Sequence, residues 1–262
     1  MDLEKIKKDI EKSGLPLEMD VNDVLNKKGW NVSNQRYYLD QTEKKARYID
    51  AFATKLVEIK SSKLDRLNIT LVIECKRSLD KPWVFCTVPK GEMHTPSFGQ
   101  VYLIKFSAQP ELPYPEYKLF WNSHYFLRNV NKVAIRGYVA FAAGKNGINT
   151  AINQSLKALA YYKKESNELL SKLPQKYWGI IIIYYPVVIL DGEMYECEKK
   201  DNDLKLSRAT YEQCQVHYGI SESIGEETYL VDIVKKEFLD TYLTWLDNEI
   251  SLISTELKNS SP

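Results

Sequence analysis

The stretch Leu67–Ser78, LNITLVIECKRS, is the strongest single constraint on the fold of this chain. In an extended segment side chains alternate between two faces. Ile69, Leu71, Ile73 and Cys75 then share an apolar face, while Thr70, Val72, Glu74 and Lys76 share the other. A run of this kind reads as a core strand. Yet it ends on an acid and a base two residues apart, and charged side chains are seldom fully buried unless paired.

The surrounding sequence supplies partners for that strand. SGLPLEMDVNDVLNKKGW predicts a helix, with Ser13 and Pro16 at its start and Gly29 at its end. Extended segments follow at Trp30–Leu39 and Ala46–Ala53. The region 81–146 reads as an insertion, since SAQPELPYPEYKLFWNSHYF has too many prolines for a continuous element, although KPWVFCTVP at its start continues the sheet or leaves its edge. Helical character returns over Ile148–Lys164. YWGIIIIYYPVVILDGEMYEC reads as a buried strand, a bend at Pro186 and a hairpin turning at Asp191-Gly192. A short strand near Tyr229–Val234 and a helix over Glu237–Leu257 close the chain. The expected architecture is α/β: a sheet with helices packed against it, in one domain. Its core covers about 15–185, with the insertion inside it and a β and helical extension over 186–262.

With 262 residues, 44% of them hydrophobic, the chain can bury a sizeable core. A net charge of +1 argues against a strongly basic, nonspecific nucleic-acid binder but leaves room for a local basic groove. The cysteines, Cys75, Cys86, Cys197 and Cys214, form no CxxC pair and read as reduced thiols of a cytoplasmic protein. The N-terminal MDLEKIKKDIEKSG has no apolar signal core. The longest apolar run, Gly179–Leu190, is too short to span a bilayer. No membrane association is expected.

The acid-x-Lys pattern recurs elsewhere, for example at Glu43–Lys45 and Glu198–Lys200, but only Glu74–Lys76 ends a strongly apolar β pattern. Asp50 gives the pair its meaning. It lies in the preceding extended segment, on a face with Tyr48 and Phe52, and antiparallel pairing would bring it beside Glu74. Two adjacent carboxylates repel and raise a pKa. A hard divalent cation resolves the conflict, and magnesium is commonly held by one or two carboxylates, waters and substrate phosphate oxygens. Lys76 would then face the attacking water or the phosphate.

Asp50 in YID and Glu74-Cys75-Lys76 in IECK resemble the motif of the PD-(D/E)XK, or restriction-endonuclease-like, nuclease superfamily. The order helix, three strands, helix, strand over about Leu15–Tyr185 also resembles that family's core. Ile49 stands where the family's name has proline. The resemblance implies a restriction-endonuclease-like mixed sheet flanked by helices. It implies a site in which Asp50 and Glu74 hold magnesium, or manganese in its place, with the Cys75 carbonyl as a further ligand. Lys76 would position or activate water. Glu18 matches an acid that such enzymes often carry on the first helix; the other reading is an early-helix acid favoured by the dipole. Gln154 matches a glutamine on the helix after the triplet, with Tyr161 on the same helical face; the other reading is the polar edge of an amphipathic helix.

The function implied is hydrolysis of DNA phosphodiester bonds, in restriction, phage defence or repair. The alternatives are a ribonuclease and an inert member of the fold serving as a binding or assembly module. No separate recognition domain is evident, so targeting would depend on a homodimer or a partner protein. His94, His124 and His217 show no metal-ligand spacing, and no phosphate-binding GxxxxGK[ST] loop is present. AAGKNG at Ala142–Gly147 reads as a turn into a helix. Lys44, Lys45 and Arg47 precede the Asp50 strand and are placed to meet a backbone phosphate. Tyr114, Tyr117, Phe120, Trp121, Tyr125 and Phe126 fill the insertion, with core packing as their default role.

Overall fold

Two long parallel strands, β3 (Leu64–Pro89) and β6 (Gly179–Lys200), form the spine of the protein. They were obtained in a computed structural model that describes residues 2–59, 64–89, 101–104, 132–142, 147–172, 179–219 and 226–259. Among these residues, nine strands make one mixed sheet. β1 (Asn31–Asp40) and β2 (Lys45–Glu58) pair antiparallel, and β2 pairs antiparallel with the first half of β3. β5 (Lys132–Val139) takes over that edge of β3 from Trp83 to Pro89. Along the other edge of β6 lie β4 (Val101–Ile104), β9 (Glu226–Lys235) and β7 (Asp203–Arg208). β8 (Tyr211–Gly219) pairs antiparallel with β9 and touches β5 at Ala134 opposite Cys214.

Both faces of the spine are covered, as the alternation of β6 requires. Ile181, Ile183, Tyr185, Val187 and Ile189 pack with Ile69, Leu71 and Ile73 of β3 under helices α2 (Leu15–Lys27) and α4 (Leu239–Asn259). Ile182, Tyr184, Val188 and Leu190 pack on the opposite face, under α3 (Gly147–Ser171). The helix α2 ends as the sequence predicts. Gly29 has φ +76, and Gly29 N–H and Trp30 N–H donate back to the carbonyls of Asn26 and Leu25. An additional N-terminal helix, α1 (Leu3–Lys12), buries no residue; Asp2 caps it by accepting from the Glu4 and Lys5 amides.

Two expectations change. Pro186 and Asp191-Gly192 do not bend or turn the chain, because β6 runs unbroken through them to Lys200. Pro186 falls between the β4 pairing, which ends at Ile183, and the β9 pairing, which begins at Val187; proline is tolerated where no ladder bond is asked of it. Gly192 serves close approach, since a Cβ there would collide with the Ser78 carbonyl of β3. The hairpin turn lies further on, at Asp201 and Asn202, both with positive φ, between β6 and β7. KPWVFCTVP continues the sheet as the last part of β3, one of the two courses read for it, and within the segment read as an insertion Lys132–Val139 forms β5. His94, His124, Lys145 and the aromatics from Tyr114 to Phe126 lie outside the described residues. Among the described residues, no helix is long and apolar enough to cross a membrane.

Candidate active site

The site forms where β2 leaves β3. Their ladder runs from Glu58 opposite Arg66 to Ala51 opposite Ile73 and stops there. The next partner on that edge of β3, among the described residues, is β5 from Trp83 onward. Backbone groups of β3 just past Ile73 therefore face a gap, and a buried N–H needs an acceptor. Asp50 supplies it: its Oδ2 accepts the Cys75 N–H at 2.7 Å.

Asp50 can reach in because the alternation of β2 breaks at this residue. Ile49 and Phe52 both pack on the α3 side, whereas Ala51 and Ala53 pack on the α2 and α4 side. Tyr48, Asp50 and Phe52 therefore do not form the single face expected of a regular strand. The break has a counterpart on β1. Between the register pairs Asn34–Ala51 and Arg36–Ile49, Gln35 stands opposite Asp50 in the left-handed region, with φ 50. From there its Nε2 donates to Glu18 Oε2 at 2.9 Å. Gln35 is the site residue that sequence reasoning missed. Its signal is the polar run Ser33-Asn34-Gln35-Arg36 inside an otherwise mixed strand.

Glu74 is 2% exposed. Its Oε1 accepts from Lys76 Nζ at 2.6 Å, and its Oε2 is buried with no hydrogen-bond partner. Burial pushes the Glu74 carboxyl up to about 7; the Asp50 and Glu18 charges add to the rise and Lys76 opposes it. Asp50 is also raised, by burial first and by the Glu18 charge, against the Cys75 N–H and Lys76. Burial, with Asp50, Glu18 and Glu74 nearby, raises the Cys75 thiol well above its ordinary value. Glu18, in the first turn of α2, thus acts on both buried acids and is tied to the β1 strand through Gln35.

Gln154 lies half-buried on α3, with its side-chain oxygen buried and lacking a hydrogen-bond partner. Tyr161 packs edge-to-face on Tyr37, which meets Tyr48 across the β1–β2 ladder. Tyr37 and Tyr48 are exposed. The cations before Asp50 are engaged by acids: Arg47 pairs with Asp40 and Glu43, and Lys45 lies 3.9 Å from Glu43. Lys157 of α3 joins Asp40 at 2.7 Å. Two of the three cations that the sequence placed against a phosphate, Lys45 and Arg47, are thus paired with acids.

Among the described residues, no group of three or more His, Cys, Asp and Glu side chains is arranged to hold a metal ion. Two carboxylates and a main-chain oxygen are what remains. In a strand the N–H and C=O of one residue point to the same edge, so the Cys75 carbonyl faces the gap that Asp50 enters. The unsatisfied Glu74 Oε2 and this all-oxygen donor set fit a hard divalent cation better than a soft one. No protein-family model, curated protein or solved structure matches the chain.

Proposed function

We propose that the protein is a metal-dependent nuclease that hydrolyses DNA phosphodiester bonds, on a restriction-endonuclease-like core. The observation that carries this reading is the meeting of Asp50, Glu74 and Lys76 at the divergence of β2 and β3, with one oxygen of buried Glu74 unsatisfied. The order α2, β1, β2, β3, α3, β6, with β4 and β5 inserted between β3 and α3 and with β6 parallel beside β3, supports the core assignment.

Asp50, Glu74 and the Cys75 carbonyl would hold magnesium or manganese, which supplies Lewis-acid charge to the phosphodiester and its attacking water. The chain's own residues account for the rest. Asp50 is aimed by the Cys75 N–H, so its free oxygen has a defined direction. Glu74 is held by the rigid β3–β6 ladder, opposite Val188. Lys76 cannot ligate a cation. Its ammonium, pinned now to Glu74, is within reach of a water or a phosphoryl oxygen at the mouth of the gap. Glu18 and Gln35 close the side nearest α2 and give the site a further acceptor.

The test is cleavage of plasmid, linear duplex and single-stranded DNA, and of RNA, with magnesium or manganese. The expected result is metal-dependent cleavage of DNA that Glu74→Ala abolishes. Cleavage that survives in Glu74→Ala, or none on any substrate from folded wild type, overturns the reading.

A further inference from the structure

A second reactive pair lies further along the same two strands. Cys86 of β3 and Cys197 of β6 stand opposite each other in the parallel ladder. Their neighbours Phe85 and Met194 pack into the core under α3, so alternation puts both cysteines on the other face. Cys86 is near enough to Cys197 to raise its thiol. Cys86 is partly exposed and Cys197 is buried. Adjacent strands lie about 4.7–4.9 Å apart, inside the Cα separation of roughly 4.4–6.8 Å that disulfides span. The strand spacing therefore admits a disulfide between the paired positions.

We propose that Cys86 and Cys197 are a site of oxidative modification, in which a hydroperoxide converts the two thiols to a disulfide joining β3 to β6. The roles of the two sulfurs follow from their surroundings. Burial raises the Cys197 thiol, and a neighbouring Cys86 thiolate raises it further. Cys197 is buried and Cys86 partly exposed, so Cys86 is the sulfur that meets the oxidant. The Cys86 thiolate attacks one peroxide oxygen; the O–O bond breaks, leaving a sulfenic acid and hydroxide, which takes the proton Cys86 released. The Cys197 sulfur then attacks the Cys86 sulfur, forming the S–S bond and expelling water. Two thiols lose two electrons and two protons, and one hydrogen peroxide becomes two waters. The site is independent of the nuclease reading.

The experiment uses the full chain, reduced and then treated with hydrogen peroxide, alkylated in denaturant and measured by intact mass and peptide mapping. The expected result is a loss of two hydrogens, two alkylated cysteines instead of four, and a Cys86 peptide linked to a Cys197 peptide. The linkage should vanish in Cys86→Ser and in Cys197→Ser and persist in Cys214→Ser. Oxidation should raise the melting temperature of wild type, reversibly with dithiothreitol, and leave both single variants unmoved. Four alkylated cysteines, a linkage between another pair, or Cys86 sulfinic acid with Cys197 still alkylatable would each overturn the proposal.

Discussion

Replacing Glu74 by glutamine keeps the shape of the side chain and removes its charge. In wild type the carboxyl is raised from 4.5 to about 7, chiefly by burial. Below pH 4.5 both folded and unfolded chains hold the proton, and the group costs nothing. Between pH 4.5 and about 7 the unfolded chain ionises while the folded protein still holds the proton, so the penalty grows over that window and is complete above it. Each pH unit of difference is worth about 1.4 kcal/mol, so the shift from 4.5 to about 7 opposes folding by about 3 kcal/mol at alkaline pH. Part of the relief is lost with the Lys76 contact. The lysine side chain is 29% exposed and regains water, so the penalty for freeing it is small.

Metal-free Glu74→Gln should therefore be more stable than wild type at pH 8, by about 1–3 kcal/mol, or about 2–4 °C in melting temperature per kcal/mol for a chain of this size. The advantage should shrink to near zero by pH 5. Thermal and urea melts from pH 5 to pH 8.5 in a chelator measure it. Magnesium should then raise the melting point of wild type by mass action and that of the variant less. The opposite pattern refutes the reasoning. If Glu74–Lys76 is a structural ion pair, the variant loses about 3–5 kcal/mol at every pH, and magnesium moves neither protein.

Four further outcomes are expected. Lys76→Met should slow cleavage roughly a hundred- to ten-thousand-fold while calorimetry shows magnesium binding retained. Glu18→Gln should reduce cleavage less than Asp50→Asn, measured side by side, because Asp50 enters the gap itself while Glu18 stands at its rim. Gly192→Ala should cost about 1–3 kcal/mol in urea unfolding, since its Cβ meets the Ser78 carbonyl; an unchanged unfolding midpoint would refute the close approach. Tyr242→Phe removes a 2.8 Å donor from buried Asp232, whose carboxyl burial already raises to about 6. It should cost about 1–3 kcal/mol at pH 8, and less at pH 5, where Asp232 is protonated in the folded protein.

What could be read in advance followed from periodicity and side-chain chemistry. The alternation in Leu67–Ser78 and the single acid in Tyr48–Phe52 were enough to bring Asp50 toward Glu74. The left-handed Gln35 was not legible, because its conformation is imposed by the cross-strand break opposite Asp50 and by the reach to Glu18. Gly192 misled for a related reason. Glycine after aspartate serves a tight turn and a close strand approach equally well, and only the position of Ser78 decides between them. The pairing of Cys86 with Cys197 depends on the register of two strands far apart in sequence, which no local pattern encodes.

The location of the acids follows from how the sheet divides its hydrogen bonds. On one edge β3 is paired with β6 from Leu64 through Ser78, so Glu74 and Lys76 sit on a backbone that does not give. On the other edge β2 has left and β5 has not yet arrived. A fully paired strand offers no main-chain groups to a ligand, and a free edge offers them without rigidity. Between Ile73 and Ser78, β3 combines one paired edge with one open edge. The Asp50 carboxylate fills part of that opening by taking the Cys75 N–H. It leaves Glu74 Oε2 buried without a hydrogen-bond partner. That residual demand is strain of a kind the interior of a sheet removes unless it is used. Under the proposed reading, a divalent cation held there would relieve both carboxylates at once.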